Sequence, residues 1–550
     1  MISNPLEDPF YYLKNFDHVL GWISARYDDV LTVEEQQFIA EFGQLPSASQ
    51  ALWVRMVMRK GVHFRASKLS YPEIGDTCQA AAPLLGVGWL SDQAPLALPE
   101  VFEVLSKPEI QARFSLHIAR PKAKKDQWLE DLAPQFPHVQ SLSEWHPALT
   151  ERLYSLTHRA LCDRLRLMFF GNLSQSWADL VLADLGLFTY EQVAFSPQSR
   201  ALACREDIDG YLHLYRCREQ FEAGVDVIEV LPHVLDYSVQ NPWLQRRRAR
   251  LLFQLGQHCE RAGELTQALQ IYRHSRHPEA RVRTIRVLER LGEASEALAL
   301  AEAAEQAPCT DAEHQQLLRM LPRLRRTLGL AALAKTKPRS YERLDLVLPP
   351  DAATSVEYKV ASHLHGPEQP VHYVENTLIN GLFGLLCWSA IFAPLPGAFF
   401  HPYQSGPADL LDEDFYLRRA ELFDACLQQL EGDRYRDTIQ TAYTAKFGIQ
   451  SPFVAWHCLS QSLLDDALHC LPPAHLKVWF RRLLQDIKAN RTGMPDLIQF
   501  WPAQKTYRMI EVKGPGDRLQ DNQLRWLTLC EQHRMPVTVC YVQWQEVAGP

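Results

Sequence analysis

The sequence lacks several features that would each assign it to a particular class of protein. Its 550 residues contain twelve cysteines but no C-x-x-C pair, which argues against a zinc finger and against a disulfide framework. It has no excess of positive charge, since its net charge is −8, so any surface for a polyanion must be a local patch. Residues 1–8 lack a basic stretch and an apolar core, so no secretory signal is visible. We therefore expect a cytoplasmic protein that is not secreted.

Only one stretch resembles a membrane span. Residues 381–400 run for twenty positions without a charge, which is long enough to cross a bilayer. However, Pro394 and Pro396 interrupt the run and three glycines weaken it as a helix. We therefore predict a buried helix end followed by an apolar loop, and no contact with a membrane.

The most informative pattern lies near the C-terminus. Asp496 follows Gly493-Met494-Pro495, and the apolar stretches 497–500 and 507–512 flank a polar turn. This pattern predicts a β-hairpin with Asp496 at the mouth of its first strand. Glu511 and Lys513 are two residues apart on the second strand, so their side chains point to the same face. A final strand is predicted at residues 537–542.

Two carboxylates and a lysine at one end of a hairpin suit a metal-dependent phosphodiesterase. Asp496 and Glu511 supply the oxygen ligands that one or two Mg²⁺ or Mn²⁺ ions prefer. Lys513 can orient a water molecule or neutralise charge on a reacting phosphate. The alternative is a solvated ion pair, but charges in an apolar strand are unfavourable unless they serve a site.

The segment from Gly493 to Val542 resembles the VRR-NUC domain, a branch of the PD-(D/E)xK nuclease fold. The resemblance implies an upstream helix with a metal-linked glutamate, and Glu375 fits that position. It also implies that the carbonyl of Val512 completes the metal shell and that Gln523, on the following helix, supports Lys513. The alternative for Glu375 is a carboxylate that stabilises a helix N-terminus.

The N-terminal part is predicted to be helical over residues 15–41 and 47–60, with basic residues that alternate with aromatic ones. Such a stretch can grip a phosphate backbone, although a solvated basic helix face is the simpler alternative. The block at residues 55–74 resembles the N-terminal region of the Fanconi-associated nuclease family, in which a SAP-like DNA-binding module follows. The candidate DNA-binding residues of these two regions are Arg55, Arg59, Lys60, Arg65, Lys68, Lys122, Lys124 and Lys125.

The middle of the chain contains a degenerate helical repeat. The pattern around Gly263 recurs around Gly292, a period of 29 residues, which predicts helix–turn–helix units of the TPR kind. Such arrays are commonly peptide-binding scaffolds. Residues 241–290, however, hold 11 Arg against 4 Glu and no Lys or Asp. We therefore predict that its arginine cluster binds DNA phosphate. The cluster consists of Arg246, Arg247, Arg248 and Arg250.

The expected architecture is multidomain and mainly α-helical. We predict an N-terminal helical domain (1–70), a SAP-like region (71–155), a TPR-like helical domain (156–345) and an α/β PD-(D/E)xK nuclease domain of the VRR-NUC type (346–550). This layout resembles a bacterial-type member of the Fanconi-associated nuclease family, associated with the nucleoid. Eukaryotic members carry a ubiquitin-binding zinc finger, and no Cys/His spacing here could build one.

The resemblance implies a structure-specific DNA nuclease. Its substrate would be branched or flapped DNA, which it would cut near a 5′ flap and degrade 5′ to 3′ in DNA repair, including the unhooking of interstrand cross-links. Lys488 and Arg491 are further candidates for phosphate binding. Three alternatives remain open: a Holliday-junction resolvase, a restriction-type duplex endonuclease, and a non-catalytic DNA-binding scaffold. The sequence does not decide between a monomer and a dimer.

Overall fold

The computed structural model describes residues 8–179, 188–238, 240–332, 341–350 and 354–545. The chain divides into two compact units. The first comprises residues 1–188 and 202–208, and the second comprises residues 189–201 and 209–550. The candidate metal-binding residues all belong to the second unit.

The first unit is helical with a small antiparallel sheet. Its helices are α1 (Tyr11–Tyr27), α2 (Val33–Gln44), α3 (Ser47–Val57), α4 (Thr77–Gly86), α5 (Leu98–Val104), α6 (Lys107–Phe114), α7 (Lys125–Leu132), α8 (Leu142–Trp145) and α9 (Arg159–Phe170). Its strands, in the order β1-β3-β2, are β1 (His63–Arg65), β2 (Leu90–Ser91) and β3 (Leu153–Leu156). Short 3-10 turns span Ala66–Lys68 and Ala133–Gln135.

Residues 15–41, which the sequence predicts to be helical, contain two helices separated by a short turn. Helix α1 ends at Tyr27 and α2 begins after Thr32. Thr32 caps the new helix: its hydroxyl accepts from the Glu35 amide at 3.2 Å, and its own amide donates to the Glu35 carboxylate at 3.0 Å. This reciprocal capping box satisfies helix-end donors that a continuous helix would not have. The second predicted helix begins as expected but ends at Val57.

The helical part of the second unit confirms the predicted repeat. Its helices are α10 (Arg205–Glu222), α11 (Val227–Leu235), α12 (Pro242–Ala262), α13 (Leu265–His274), α14 (Ala280–Leu291), α15 (Ala294–Gln306) and α16 (Asp311–Thr327), with a 3-10 turn at Pro197–Ser199. Gly263 (φ +87°) and Gly292 (φ +84°) end α12 and α14 in the left-handed conformation that glycine adopts without strain. Gly256 lets α12 approach α13, since a Cβ there would lie 2.7 Å from the ring of Tyr272.

The C-terminal part is built on a five-stranded mixed sheet in the order β4-β8-β7-β6-β5. The strands are β4 (Glu342–Leu348), β5 (Val371–Tyr373), β6 (Leu497–Trp501), β7 (Thr506–Lys513) and β8 (Val537–Trp544). The helices are α17 (Val356–Leu364), α18 (Leu378–Leu386), α19 (Trp388–Ile391), α20 (Ala420–Gln428), α21 (Arg434–Lys446), α22 (Gln461–Cys470), α23 (Pro473–Gln485), α24 (Ile487–Asn490) and α25 (Asp521–Gln532). Further 3-10 turns span Leu417–Arg419, Gln429–Glu431 and Pro502–Gln504. The predicted hairpin and last strand are confirmed as β6, β7 and β8.

The sheet separates two hydrophobic clusters. Leu497, Ile510 and Val512 lie in the smaller cluster, on the side of α17. Ile498 and Met509 lie in the larger one, with the buried helices α18, α22 and α23. Since side chains alternate along a strand, Glu511 and Lys513 share the face of Met509.

The uncharged run of residues 381–400 belongs to the interior of this domain. Helices α18 and α19 are almost entirely buried in the larger cluster, and the apolar loop after them packs there too. The prediction of a buried helix end plus loop is therefore confirmed. Among the helices of the described residues, none combines the length and the apolar character that crossing a bilayer requires.

Candidate active site

Four predicted side chains come from segments that meet at one end of the sheet. Strand β6 pairs antiparallel with both β5 and β7, so its first residue, Leu497, lies opposite Tyr373 at the end of β5 and opposite Ile510 near the end of β7. Asp496 immediately precedes β6, Glu375 follows β5 by two residues, and Glu511 and Lys513 end β7. The sheet thus brings together residues that are far apart in the chain.

Asp496 is fixed by the backbone on both sides. Its carbonyl accepts from the amide of Val374 on the β5 side, and its Oδ2 accepts from the amide of Val512 in β7, each at 2.8 Å. The preceding Gly493 has φ +85°, and a Cβ there would come within 2.7 Å of the backbone of Asn522. Only glycine fits this turn, which explains why Gly493 precedes the Pro-Asp pair.

Glu511 and Lys513 form a buried ion pair. Glu511 is 0% exposed and Lys513 is 7% exposed. The Lys513 Nζ lies 2.8 Å from Oε1 of Glu511, while Oε2 accepts no hydrogen bond from any described residue. A buried carboxylate oxygen without a donor is costly, so this atom is suited to a cation or a water ligand.

Both carboxyl groups hold their protons more tightly than usual. Burial, followed by the negative charge of Glu375, raises the pKa of Asp496 to about 6, against the lowering effect of the Val512 amide. Burial and the charge of Asp496 raise the pKa of Glu511 to about 8, although Lys513 opposes the shift. Neighbouring carboxylates that are buried away from water, where their charges repel strongly, are typical of sites that bind a divalent cation.

Glu375 lies in a turn and not on a helix, which corrects the sequence-based expectation. The turn connects β5 to α18, and the helix begins three residues later at Leu378. The carboxylate is held by its neighbours: the Tyr373 hydroxyl donates to Oε2 at 2.5 Å, and Asn376 Nδ2 donates to Oε1 at 3.1 Å. The negative charge of Glu375 contributes to the raised pKa of both Asp496 and Glu511.

The carboxylate oxygens of the site fit a hard divalent ion, although they do not form a complete coordination shell. Asp496 and Glu511 offer carboxylate oxygens of the kind that Mg²⁺ and Mn²⁺ prefer, and the unbonded Oε2 of Glu511 is available. Within the described ranges, however, no three His, Cys, Asp or Glu side chains already gather closely enough to hold a metal. Lys513 meanwhile compensates part of the negative charge.

Helix α25 is bonded to the segment that precedes Asp496. The Oε1 of Gln523 accepts from the amide of Gln520 at 2.9 Å and so caps this helix, and the structure records no bond from Gln523 to Lys513. Trp526 donates from Nε1 to the carbonyls of Asn490 and Thr492, each at 3.2 Å. These bonds fix the segment that leads into the turn before Asp496.

Three residues near the carboxylates were not predicted from the sequence. Tyr373 and Asn376 bond to Glu375 as described. Glu357, in the first turn of α17, adds negative charge that contributes to the raised pKa of Asp496. The only sequence signal for the first two is their position beside Glu375, while Glu357 carries no pattern of its own.

The predicted DNA-binding residues of the first unit divide into two groups. Arg55 pairs with Glu73 at 2.5 Å, and Arg65 pairs with Glu109 at 2.8 Å and with Glu151 at 2.5 Å. These arginines therefore form ion pairs within the fold of the first unit and stabilise it. The side chain of Lys125 similarly donates to the Leu105 carbonyl, and Arg59 donates to the carbonyl of Lys68. Arg59 is exposed despite this bond. The second group is exposed and consists of Lys60, Lys68, Lys122 and Lys124.

Two residues of the arginine cluster on α12 have partners outside that helix. Arg246 pairs with Asp412 at 2.9 Å and with Asp414 at 3.3 Å. Arg248 donates to the carbonyls at the end of α11, at 2.8 and 2.9 Å. The first contact connects α12 to the loop of Asp412 and Asp414. The second connects it to α11.

The other two arginines of the cluster differ in exposure. Arg247 lies over the ring of Trp243, 4.0 Å from its centroid. Arg250 is the exposed member of the cluster.

The last two predicted basic residues lie in the segment before Asp496. Lys488 is exposed and forms a 3.2 Å ion pair with Glu279, which precedes α14. Arg491 donates to the carbonyl of Pro452 at 3.2 Å. Burial and the nearby charges of Lys488 and Arg250 lower the pKa of His277. Arg250 of α12 and Lys488 of the segment before Asp496 therefore both place positive charge near His277.

Comparison with known proteins finds similarity along most of the chain. The family profile "FAN1, HTH domain" matches residues 10–91, "Fanconi anemia-associated nuclease SAP domain" matches residues 95–145, and "VRR-NUC domain" matches residues 430–544. The chain is 55% identical to the Fanconi-associated nuclease 1 homolog of Pseudomonas aeruginosa, over 98% of this chain and 97% of that protein. It is 24% identical to human Fanconi-associated nuclease 1, over 97% of this chain and 62% of the human protein.

A solved structure is similar over the same extent. The crystal structure of paFAN1 bound to 2nt 5′ flap DNA with gap has a TM-score of 0.88 to this chain, at 55% identity. The similarity covers 98% of this chain and 99% of that one.

Proposed function

The chain belongs to the Fanconi-associated nuclease 1 family, and we propose that it hydrolyses DNA beside a 5′ flap in a reaction that depends on Mg²⁺ or Mn²⁺. The family membership and the C-terminal VRR-NUC domain that the sequence predicted are confirmed. By analogy with the family, cleavage falls in the duplex near the junction, proceeds 5′ to 3′, and serves DNA repair, including the unhooking of interstrand cross-links.

The observation that carries the proposal is the buried group at the end of the sheet. Asp496, Glu511 and Lys513 converge there with almost no exposure, and the two carboxyl groups have raised pKa values because burial and the charges of neighbouring carboxylates disfavour their charged forms. A structural ion pair would not need two adjacent buried carboxylates beside one lysine. A divalent cation would compensate both.

We assign the following roles to the residues of the chain. Asp496, Glu511 and the carbonyl of Val512 would hold the first ion, and Glu375 would join them. One or two bound ions would polarise the scissile phosphate, lower the pKa of the attacking water and stabilise the leaving oxygen. With an ion on that carboxylate, Lys513 would be released from Glu511 and would orient the water or the reacting phosphate oxygens. Gln523 caps the start of helix α25.

The exposed basic residues are the proposed contacts with the DNA backbone. In the second unit these are Arg250 and Lys488, whose charges both act on His277. Lys488 forms an ion pair with Glu279, and a phosphate would compete with Glu279 for it. A terminal 5′ phosphate is a suitable ligand for such a pair of cations. In the first unit we propose that Lys60, Lys68, Lys122 and Lys124 contact phosphates without reading sequence.

A cleavage assay with four DNA structures tests the proposal. End-labelled 5′-flap, 3′-flap, four-way-junction and plain duplex DNA are incubated with Mn²⁺, Mg²⁺ or EDTA. We expect incision of the 5′ flap only with metal. Asp496→Ala and Lys513→Ala should abolish cleavage while DNA binding persists. Lys477→Ala is the matched control, since Lys477 forms an ion pair with Glu431 elsewhere in the domain, and it should cleave normally.

The other outcomes distinguish the alternatives. Cleavage of the four-way junction alone would favour a junction resolvase. Binding without cleavage in either metal would favour a DNA-binding scaffold. Full activity of the Asp496→Ala, Lys513→Ala double variant would contradict the assignment of the site.

A further inference from the structure

The carboxylate of Glu375 is held at both of its oxygens by uncharged donors. The Tyr373 hydroxyl donates to Oε2 at 2.5 Å, and Asn376 Nδ2 donates to Oε1 at 3.1 Å. Neither donor is a metal ligand of the usual kind or belongs to the predicted site. A freely rotating glutamate at the edge of a sheet would lose side-chain entropy on binding an ion, whereas one held at both oxygens has already lost it.

Tyr373 is itself firmly placed. It is the last residue of β5, opposite Leu497 in β6, and is thus one position from Asp496. Its ring stacks on the ring of Tyr358 from α17, with centroids 5.2 Å apart and planes 25° apart.

Asn376 connects Glu375 to the segment that carries Asp496. Its Oδ1 accepts from the amide of Met494 at 3.1 Å, while its Nδ2 donates to Glu375. Its carbonyl accepts from Asn380 Nδ2 at 2.7 Å. The residue has φ +54°, a left-handed conformation that is uncommon outside glycine and that asparagine tolerates better than most. One side chain therefore spans the two loops that present the carboxylates.

We propose that Tyr373 and Asn376 are positioning residues that hold the Glu375 carboxylate in one orientation and thereby set the affinity of the site for its divalent ion. This inference rests on the proposed function, because it requires Glu375 to be a ligand. Partners that orient a metal ligand typically change metal affinity by roughly 10- to 100-fold when they are removed. Because their proposed role is to place a metal ligand, turnover at saturating metal should persist.

Binding of Mn²⁺ alone to the full-length protein provides the first readout. Isothermal titration at pH 7.5 compares the wild type, Tyr373→Phe and Tyr358→Phe. Tyr373→Phe keeps the ring and its stacking but removes the donor to Glu375. Tyr358→Phe is the matched control, because it removes a hydroxyl from the other ring of the stack. We expect Mn²⁺ affinity to fall roughly 10-fold in Tyr373→Phe and to stay unchanged in Tyr358→Phe.

Flap cleavage at varied Mn²⁺ concentration provides the second readout. Tyr373→Phe should require about 10-fold more Mn²⁺ for half-maximal rate and should reach the wild-type rate when Mn²⁺ is saturating. A merely structural defect would lower the rate at every metal concentration. If Tyr373→Phe fails to fold, Asn376→Gly tests the same carboxylate from its other oxygen, since glycine keeps the left-handed backbone, and the same metal-dependent loss is expected.

Glu375→Gln separates failure of this inference from failure of the proposed function. If Glu375→Gln loses Mn²⁺ affinity while Tyr373→Phe and Asn376→Gly bind like the wild type, the positioning role is refuted and the metal site stands. If Glu375→Gln also binds Mn²⁺ and cleaves like the wild type, Glu375 is not a ligand. Both its assignment and this inference are then overturned.

Discussion

Replacing Asp496 by asparagine should inactivate the protein and also stabilise its metal-free fold. Asparagine is nearly isosteric with aspartate, and its side-chain oxygen can still accept from the Val512 amide, which donates to Asp496 at 2.8 Å. The substitution removes one negative charge from a site where Asp496 is buried beside Glu511 and Glu375. Without a metal, that charge opposes folding.

The size of the effect follows from the pKa of Asp496. Burial raises it from 3.8 to about 6, and each pKa unit corresponds to about 1.4 kcal/mol. The ionised carboxylate therefore costs up to roughly 3 kcal/mol of unfolding free energy. Because the folded-state pKa is the higher one, folding takes up a proton between about pH 4 and pH 6. The cost is absent below this window, grows through it, and is complete above pH 6.

Asparagine should recover part of this free energy, about 2 kcal/mol at pH 8, because its amide must still be accommodated near Lys513. For a domain of 150–250 residues this corresponds to a rise of roughly 4–8 °C in melting temperature. Thermal melting in EDTA at pH 8 and at pH 4.5 measures it, with the exposed Asp437→Asn as control. Equal melting temperatures of Asp496→Asn and wild type at pH 8, or the same gain at pH 4.5, would refute the electrostatic reasoning.

Three further predictions concern binding and stability. Arg250→Ala should weaken flap binding and reduce its salt dependence by about one ion. Arg248→Ala should mainly lower the melting temperature, because Arg248 donates to two backbone carbonyls. Equal losses of affinity for the two variants in filter binding would contradict this. Gly493→Ala should destabilise the nuclease domain by more than about 1 kcal/mol, because a Cβ would lie 2.7 Å from a backbone carbon and φ is +85°; an unchanged urea midpoint would count against it. Arg419→Leu should cost about 2–3 kcal/mol in urea unfolding, because Asp409 loses its bidentate partner at 2.8 and 2.9 Å and keeps only its ion pair with Arg418. A loss below about 1 kcal/mol would show that Arg418 alone compensates the buried carboxylate.

The hairpin and the position of three residues of the candidate site could be predicted from the sequence because their pattern is local. Alternation in β7 puts Glu511 and Lys513 on one face, and the turn before β6 puts Asp496 at its mouth. Glu375 required the family resemblance, because strand pairing alone brings it to Asp496 from a distant part of the chain. The helix that the resemblance implied around Glu375 begins three residues after it, at Leu378.

The arginine cluster shows what sequence patterns do not predict, namely the partner of each side chain. Helical spacing correctly places Arg246 and Arg250 on one helix, but it does not identify what each side chain meets. Arg246 reaches Asp412 and Asp414 in a distant loop, and Arg250 reaches solvent. The same limit applies to Arg65, whose carboxylate partners come from other segments. Charge content predicts a basic surface, while tertiary contacts decide which arginines remain on it.

The most direct test is to locate the metal itself. Crystals grown with Mn²⁺ and a 5′-flap DNA allow the ion to be placed by its anomalous scattering. We predict a peak bonded to Asp496, Glu511 and the carbonyl of Val512, with Glu375 in the shell and Lys513 released from Glu511, and no such peak in Asp496→Asn. A peak elsewhere, or none in crystals of protein that cleaves the flap with Mn²⁺, would contradict the assignment of these carboxylates as the catalytic metal site.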